Sequence, residues 1–397
     1  MDATSHTVRL LLSARSLRAF ADGYVAVLLP AYLLALGFGT LEVGVLSTVT
    51  MFGSALATLA VGRWGHRFEL RRLLVASAVL MGLTGVAFAA FSSLWPLLVV
   101  AFVGTINPSS GDVSVFYPLE HTALAAATPA EARTGAFARY SFVGSLFGAL
   151  GALGAAAPEW LAQHGGIAML EGLKLMFLLY GVIGVAVWLL YSRFPQAKAD
   201  VERPAVPLGP SRATVWKLAG LFSVDSFAGG FVINALLALW LFERFEMSLT
   251  AAGAFFFWTG LLSAGSQLAA APLARRIGLI NTMVFTHLPA NFCLIAAAFA
   301  PTLHMALALL LVRSALSQMD VPARGAYVMS VVTPPERPAA ASFTAVPRSL
   351  ASALSPSLTG AMFAAGAFAT PLVLCGVLKS AYDLALFAGF RKLAPRD

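Results

Sequence analysis

The sequence predicts an all-α polytopic membrane protein built from two similar halves. Its 397 residues are 59% hydrophobic and only 11% charged, whereas a soluble domain carries about 25% charged residues. Apolar stretches of about 20 residues, the length that a helix needs to cross a bilayer core, recur from one end of the chain to the other. A proline-rich segment near the middle divides these stretches into two sets of six. Together these observations favour twelve transmembrane helices.

Each predicted span lies between short polar loops. The spans are 12–37, 41–62, 73–93, 95–124, 134–157 and 170–193 in the first half, and 213–242, 248–271, 281–300, 302–331, 338–366 and 370–391 in the second. The segment 194–212 holds four prolines and several charges, and prolines keep such a segment extended. We therefore predict an N-terminal six-helix bundle over 1–193, a cytoplasmic linker over 194–212 and a C-terminal six-helix bundle over 213–397.

Positive charge is distributed unevenly between the two sides of the predicted membrane. Loops on the side of the N-terminus hold most of the Lys and Arg residues, and the opposite side holds little beyond Arg244. Because cytoplasmic loops carry this excess, both termini and the linker are predicted to be cytoplasmic. Short loops and a high Ala and Leu content favour a bacterial inner membrane. The net charge of +8 belongs to these loops and does not indicate nucleic-acid binding.

Four aspartates interrupt the apolar stretches at related positions in the two halves. Asp22 and Asp225 differ by 203 positions (225 minus 22), and Asp112 and Asp320 differ by 208 (320 minus 112). The similar offsets indicate parallel repeats. Ionisable residues at membrane depth are costly and by default mark a transport pathway. With a rise of ~1.5 Å per residue, each of the four aspartates lies roughly 15–18 Å from the cytoplasmic end of its span, so their carboxylates are predicted to form one layer.

The loop between the second and third spans resembles a motif of the major facilitator superfamily, in which Gly, Asp-Arg, Gly and a basic cluster recur. The matching positions here are Gly62, Arg63, His66, Arg67, Arg71 and Arg72. His66 stands where the family usually has Asp, and Glu69 where it usually has Gly. The family's arginine in the fourth span is also missing, with Thr105 at the nearest position and Arg313 at the matching place in the tenth span.

This resemblance covers nearly the whole chain and implies two six-helix bundles around a central cavity, which opens alternately to each side of the membrane. It further implies that spans 1, 4, 7 and 10 line the cavity and that the loop 62–72 takes part in gating on the cytoplasmic side. Each of these four spans holds one of the aspartates.

The fifth span has a glycine pattern similar to the family's antiporter motif. Gly135, Gly144, Gly148 and Gly151 carry the pattern, with Ala149 where a proline is expected. The motif favours export. The alternative is that small residues at intervals of three or four let membrane helices approach closely.

The predicted site pairs the aspartates with arginines. Asp320 and Arg324 are four residues apart and share a helix face, and Pro322 between them is expected to disrupt the helix and free backbone carbonyls. Asp112 and Asp320 also have candidate partners in Arg139 of the fifth span and Arg348 of the eleventh span. The alternative for each pair is a buried ion pair that only fixes the packing of its bundle.

Asp22 and Asp225 have fewer neighbours of opposite charge, so they are the predicted proton carriers: a carboxylate in a partly dry cavity takes up a proton more readily. Carboxylates that only cap or bond to a neighbouring helix are the alternative. Arg18 lies one turn before Asp22 and is expected to reach the cytoplasmic surface. Glu120 with His121 is interpreted as an interfacial or loop-facing pair, His287 as a packed histidine, and Lys379 with Asp383 as an intrahelical pair. The candidate cavity-lining residues are Tyr24, Asn107, Phe227, Asn234, Gln318 and Tyr327.

The chain shows none of the sequence motifs of an enzyme or ATPase, and no cofactor or metal is predicted. We predict a monomeric secondary transporter of a small organic solute, driven by protons, with efflux favoured by the glycines of the fifth span. One alternative is a proton-coupled importer of an organic anion or nutrient, in which Arg324 and Arg348 bind the anionic group. Another is a receptor or assembly factor that keeps the fold without transporting, although such a protein has no need for four carboxylates at one depth.

Overall fold

The structure of the chain, a computed structural model, describes residues 3–109, 114–129, 132–194 and 208–391. The α-helices in these ranges are α1 (Ala3–Ala35), α2 (Thr40–Trp64), α3 (Leu70–Ala90), α4 (Leu94–Val103), α5 (Phe116–Ala126), α6 (Arg133–Leu153), α7 (Ala157–His164), α8 (Met169–Ser192), α9 (Arg212–Gly230), α10 (Asn234–Phe245), α11 (Leu249–Ile277), α12 (Leu279–Ala298), α13 (Leu303–Leu316), α14 (Asp320–Val331), α15 (Arg337–Ala364) and α16 (Thr370–Phe390). The fold is therefore all-α, as the sequence predicts.

Ten helical stretches among the described residues are long and apolar enough to cross a membrane. The predicted spans 95–124 and 338–366 are not among them, so the expected number of twelve is not reproduced in full. The first is interrupted, because α4 ends after 10 residues where Gly104 takes an extended conformation. The second corresponds to α15, a continuous helix of 28 residues that carries Arg348 and many serines among its apolar residues.

Two further predicted spans are broken near an aspartate. The seventh span consists of α9 and α10, which are separated at 231–233, and the tenth consists of α13 and α14, separated at 317–319. Pro322 lies in the first turn of α14, where a proline is tolerated because its missing N–H would have no helical partner. The interruption expected at this proline is therefore seen as a new helix, α14, that begins at Asp320.

The chain forms two compact units, Met1–Val201 with Asn234–Phe257, and Glu202–Ile233 with Trp258–Asp397. In the first unit α1 packs against α6, α8 and α10, and α3 packs against α8. In the second unit α9 packs against α15 and α16, and α12 packs against α13, α14 and α16. The division into bundles over 1–193 and 213–397 describes the sequence repeat and stays a prediction.

Three of the four motif glycines of α6, Gly144, Gly148 and Gly151, lie against α1. A Cβ atom added to Gly151 would come within 2.0 Å of the carbonyl oxygen of Phe20, and one added to Gly23 would come within 2.1 Å of the carbonyl oxygen of Gly148. Only glycine permits such a close approach of two backbones. Helix packing therefore accounts for these three glycines of the fifth span without any reference to the direction of transport.

Candidate functional site

The largest buried charge cluster in the described part of the chain lies in the second unit. Asp225 projects from α9, Asp320 and Arg324 from α14, and Lys379 from α16. The guanidinium of Arg324 contacts both carboxylates, Asp320 directly and Asp225 at 3.1 Å. The Nζ atom of Lys379 donates to Asp225 Oδ1 at 2.6 Å. Two acids and two bases on three helices thus form one continuous network.

The local structure explains why these side chains meet. Asp320 occupies the first turn of α14, which is favourable for a carboxylate because the helix N-terminus carries partial positive charge. Arg324 follows one turn later on the same face. The packing of α16 on α9 then brings Lys379 to Asp225 from the other side.

Burying the four charged side chains of this cluster costs desolvation free energy. The side chains of the four residues are between 4% and 12% exposed, and removing each ion from water costs several kcal/mol, which only good pairing and hydrogen bonding offset. The guanidinium of Arg324 also lies over the ring of Phe222 at 5.3 Å, a favourable cation–π contact. Its Nε and Nη1 atoms nevertheless have no hydrogen-bond partner among the described residues.

The structure brings together three of the predicted site residues, Asp225, Asp320 and Arg324. Arg348 is partly buried, and its Nε atom donates to Ser226 Oγ at 3.1 Å on the same helix as Asp225. Asp112 lies outside the described residues, so its predicted pairing with Arg139 stays a prediction. Arg139 itself is exposed.

The predicted intrahelical pair of Lys379 and Asp383 is wrong. Lys379 pairs with Asp225 of α9, and Asp383 pairs with α12 instead: its two carboxylate oxygens lie 3.0 Å from His287 Nδ1 and 3.0 Å from Asn291 Nδ2. Tertiary contacts at these positions prevail over the local four-residue spacing, because the interior of the unit offers partners on other helices. His287 is a packed histidine bonded to a neighbour, as expected.

A second buried ion pair, which the sequence reasoning did not predict, lies in the first unit. Arg18 of α1 donates to Glu120 of α5, and the hydroxyl groups of Tyr140 and Tyr191 donate to the same carboxylate. Arg18 is 2% exposed and Glu120 is 0% exposed, which corrects both the expected exit of Arg18 to the surface and the expected interfacial position of Glu120. Arg18 also lies over the ring of Phe116 at 4.1 Å.

Asp22 is buried in α1, one turn after Arg18. Among the candidate cavity-lining residues, Tyr24 is fully buried and donates to the Met176 carbonyl at 3.2 Å, and Tyr327 is 5% exposed with its hydroxyl 3.4 Å from the Phe390 carbonyl. These contacts are typical of packing between helices.

The other candidates lie where helices are interrupted. The side-chain oxygen of Asn107 accepts from the backbone N–H of Ser109 at 3.0 Å, in the segment after α4. Phe227, Asn234 and Gln318 are partly buried, with Asn234 at the start of α10 and Gln318 between α13 and α14.

The loop with the basic cluster is a short connection between α2 and α3. Gly62, Arg63, His66 and Arg67 are exposed, at the end of α2 and in the 3₁₀ turn that follows it. The remaining basic residues bind within the first unit: Arg71 donates to the Ser192 carbonyl at 2.6 Å, and Arg72 pairs with Glu69 at 3.1 Å.

Sequence reasoning missed Arg18, Glu120, Lys379 and Asp383 as members of buried networks. All four are ionisable residues inside predicted spans, and this alone is a signal, because such residues are rare in a bilayer unless they are paired. The spacing could not show the pairing, since the partners are 96 to 154 residues apart in the chain. Among the described residues, no group of three His, Cys, Asp or Glu side chains is arranged to hold a metal ion.

The ten long apolar helical stretches define a multi-pass integral membrane protein. The sequence profile of the Major Facilitator Superfamily matches residues 11–319, and the chain belongs to this family.

A membrane protein of Saccharomyces cerevisiae whose function is uncharacterised is 25% identical, and the alignment covers 90% of this chain and 88% of the yeast protein. Among solved structures, the fold is similar to that of a bacterial homologue of the human lysosomal transporter Spinster in an inward-facing, unoccupied conformation, with a TM-score of 0.77, 16% identity and coverage of 99% and 98% of the two chains. It is also similar to the nucleoside transporter NupG, with a TM-score of 0.74, 13% identity and coverage of 97% and 99%. For the xylose transporter XylE of E. coli, the TM-score is 0.75 at 14% identity, with coverage of 98% and 97%.

Proposed function

We propose that this protein is a secondary active transporter that moves a small organic solute across a membrane with protons as the coupling ion. The observation that carries the proposal is the network of Asp225, Arg324, Asp320 and Lys379 inside the second unit. A protein that only needed a stable fold would do as well with apolar side chains at these positions. Charged groups that persist inside membrane helices are by default groups that act on a transported species.

The network suits a role in coupling because its members hold three helices together by charge. A change of charge next to the network, through a proton or a bound solute, alters the contacts of α9 with α14 and α16. Such a change shifts the balance between two helix arrangements by as much as the ligand binds one arrangement better than the other. Export, with both termini in the cytoplasm of a bacterium, is proposed from the sequence pattern alone, because the packing of α6 on α1 also explains these glycines and carries no information on direction.

A second candidate is uptake of an organic anion. It is favoured by Arg324, whose Nε and Nη1 donors have no partner among the described residues, since a planar guanidinium binds carboxylates and phosphates through two parallel hydrogen bonds. Arg348 supplies a second cation beside Ser226.

The test is flux in proteoliposomes with an imposed pH gradient and a panel of labelled organic cations, anions, nucleosides and sugars. A pH difference of one unit is worth about 1.4 kcal/mol per proton, so coupling to one proton drives up to about tenfold accumulation. We expect one class of solute to accumulate and its flux to collapse when the gradient is removed with a protonophore. Flux of the same size with and without the pH gradient would refute proton coupling. A complete lack of flux across the panel would favour the non-transporting alternative.

Variants of Arg324 separate the two candidates. Arg324→Lys keeps the charge and loses the planar pair of donors. If the solute is an anion that this guanidinium binds, the concentration for half-maximal flux should rise about tenfold or more, at ~1.4 kcal/mol per factor of ten. If Arg324 only pairs with Asp320 and Asp225, that concentration should stay close to its value in the parent protein.

A further inference from the structure

The pair of His287 and Asp383 joins α12 to α16 deep inside the second unit. The side chains of His287 and Asp383 are 5% and 0% exposed. One carboxylate oxygen lies 3.0 Å from His287 Nδ1, and the other accepts from Asn291 Nδ2 at 3.0 Å. Each oxygen of the acid therefore has a partner, and one of the two partners is itself able to carry a proton.

This pair differs from the other acids of the second unit in its partners. Asp225 contacts Lys379 and Arg324, and Asp320 contacts Arg324. Permanent cations at this distance stabilise the charged carboxylate and oppose protonation. Asp383 has no Lys or Arg within 4.0 Å among the described residues, and its ionisable partner is a histidine.

We infer that the His287–Asp383 pair, and not Asp225, is the proton-binding group of the second unit. The inference rests on the proposed proton coupling and names its site. The pair takes one proton from water and gains one unit of charge, and it returns that proton when access to the opposite side opens. A histidine is suited to this exchange because its unperturbed titration falls near neutral pH.

The surroundings link this proton to the helix contacts of the candidate site. Lys379 lies one turn before Asp383 on α16 but contacts Asp225 of α9, so the two acids compete for one ammonium group. When the pair holds its proton, Asp383 attracts Lys379 less and the bond to Asp225 is favoured. When the proton leaves, the negative charge next to Lys379 weakens its hold on α9.

The ionisable groups that act on the pair come from α9, α14 and α16. The ring of Tyr382 lies edge-on to the ring of His287 at 6.4 Å between centroids. The charged and titratable neighbours are Lys379 and Tyr382 on α16, Asp225 on α9 and Asp320 on α14, and Arg324 and Arg348 lie next to these acids. Their three cations and two acids remain paired with one another or with Ser226. The His287–Asp383 pair thus binds its proton next to charged groups that already have partners of their own.

The test is a measurement of proton uptake by the purified protein without any solute. Detergent-solubilised protein is taken from about pH 8 to about pH 5, the range in which a histidine titrates, and the protons bound per chain are counted. Asp383→Asn should take up about one proton fewer than the parent protein, whereas Asp225→Asn should take up as many protons as the parent, with only the midpoint displaced because Lys379 loses its partner. An ordinary aspartate does not titrate in this range, so a loss in Asp383→Asn locates the proton at the pair.

A milder variant keeps the test decisive if Asp383→Asn fails to fold. Asn291→Ala removes a donor that favours the ionised carboxylate, so it should leave the number of protons unchanged and move the midpoint of uptake to higher pH. Full uptake in Asp383→Asn, a loss of uptake in Asp225→Asn, or an unmoved midpoint in Asn291→Ala would each overturn the inference. Because no solute enters the titration, its outcome is independent of whether the flux assay finds a substrate.

Discussion

The ion pair of Arg18 and Glu120 gives the sharpest test of how the first unit is held together. Glu120 accepts from Arg18 and from the hydroxyl groups of Tyr140 and Tyr191, and both charged side chains are at most 2% exposed. Breaking a buried pair by removing one partner costs about 3–5 kcal/mol, because the other charge stays buried without compensation. The two single variants are nevertheless expected to differ.

Arg18→Met leaves a carboxylate that keeps two tyrosine donors, so the loss should fall near the lower end, about 3 kcal/mol. Glu120→Leu strands the guanidinium and also leaves two hydroxyl groups without an acceptor, each worth about 1 kcal/mol net, so the loss should be about 5 kcal/mol or more. In the double variant no charge remains, and the cost should return to about 2 kcal/mol for the two hydroxyl groups. The double variant is therefore predicted to be more stable than Glu120→Leu alone.

The assay is equilibrium unfolding in mixed micelles by titration with a denaturing detergent, followed by tryptophan fluorescence. The control is Glu243→Gln, at an exposed acid of α10 outside this cluster. If the losses of the two single variants simply add in the double variant, to within about 0.5 kcal/mol, then Arg18 and Glu120 do not depend on each other and the argument fails.

Three further predictions concern stability and packing. Hydrogen bonds from Thr333 and Ser211 lower the pKa of Glu336 to about 2 from its ordinary 4.5. The stability that the ionised carboxylate contributes should therefore be complete above about pH 4.5 and lost as pH falls towards about 2. Over that window, the difference in melting temperature between the parent protein and Glu336→Gln should shrink. Gly151→Ala should destabilise the protein by about 1–3 kcal/mol or displace α1, because its Cβ atom meets the Phe20 carbonyl, whereas Gly135→Ala on the same helix, with nothing within 4 Å of the added atom, should be neutral or stabilising by up to ~1 kcal/mol. Lys379→Met should lower stability less than Glu120→Leu, because Asp225 keeps Arg324 as a partner.

Each of these has an outcome that contradicts it. A Glu336→Gln variant with a constant stability difference down to about pH 2 would place the carboxylate outside the hydrogen bonds described. Equal behaviour of the alanines at Gly151 and Gly135 would show that α1 and α6 can part without cost. A Lys379→Met variant as unstable as Glu120→Leu would show that Arg324 does not compensate for the missing ammonium group.

Composition and apolar periodicity were sufficient to predict the fold class, because a chain that must satisfy every backbone hydrogen bond inside a bilayer has few alternatives to helices. They placed the helices well except where the span 95–124 is interrupted at Gly104, and the predicted span 338–366 coincides with α15, although Arg348 and the serines of that helix keep it out of the ten most apolar stretches. Hydropathy averages over a window, so it does not register a local break in the backbone. The helix start at Asp320 could be predicted from Pro322, whereas no proline lies near the break between α9 and α10 to indicate it.

The candidate site was predicted in part for a related reason. Asp225, Asp320 and Arg324 were found because their cost at membrane depth can be read from the sequence alone. Lys379 and Asp383 were assigned to each other, because sequence spacing shows only neighbours on the same helix. Their actual partners, Asp225 and His287, lie on helices that are distant in the chain, and only the packing of α16 against α9 and α12 reveals them.

Each unit contains an arginine guanidinium over an aromatic ring, but the helix that carries the arginine in one unit corresponds to the helix that carries the ring in the other. In the first unit the cation, Arg18, lies on α1, with its ring and its acid, Phe116 and Glu120, on α5. In the second unit the cation, Arg324, lies on α14, and the ring of Phe222 is on α9 together with one of its acids.

Sequence offsets show how the exchange relates to the repeat. Phe116 and Arg324 differ by 208 positions (324 minus 116), the offset of the second pair of aspartates, and Arg18 and Phe222 differ by 204 (222 minus 18), one more than the offset of the first pair. The cation has therefore taken the place of the ring, and the ring the place of the cation. Because a guanidinium over an aromatic face is equally favourable from either helix, the two units can share this contact even though neither residue is repeated at its matching position, and a comparison of identical residues between the halves does not detect it.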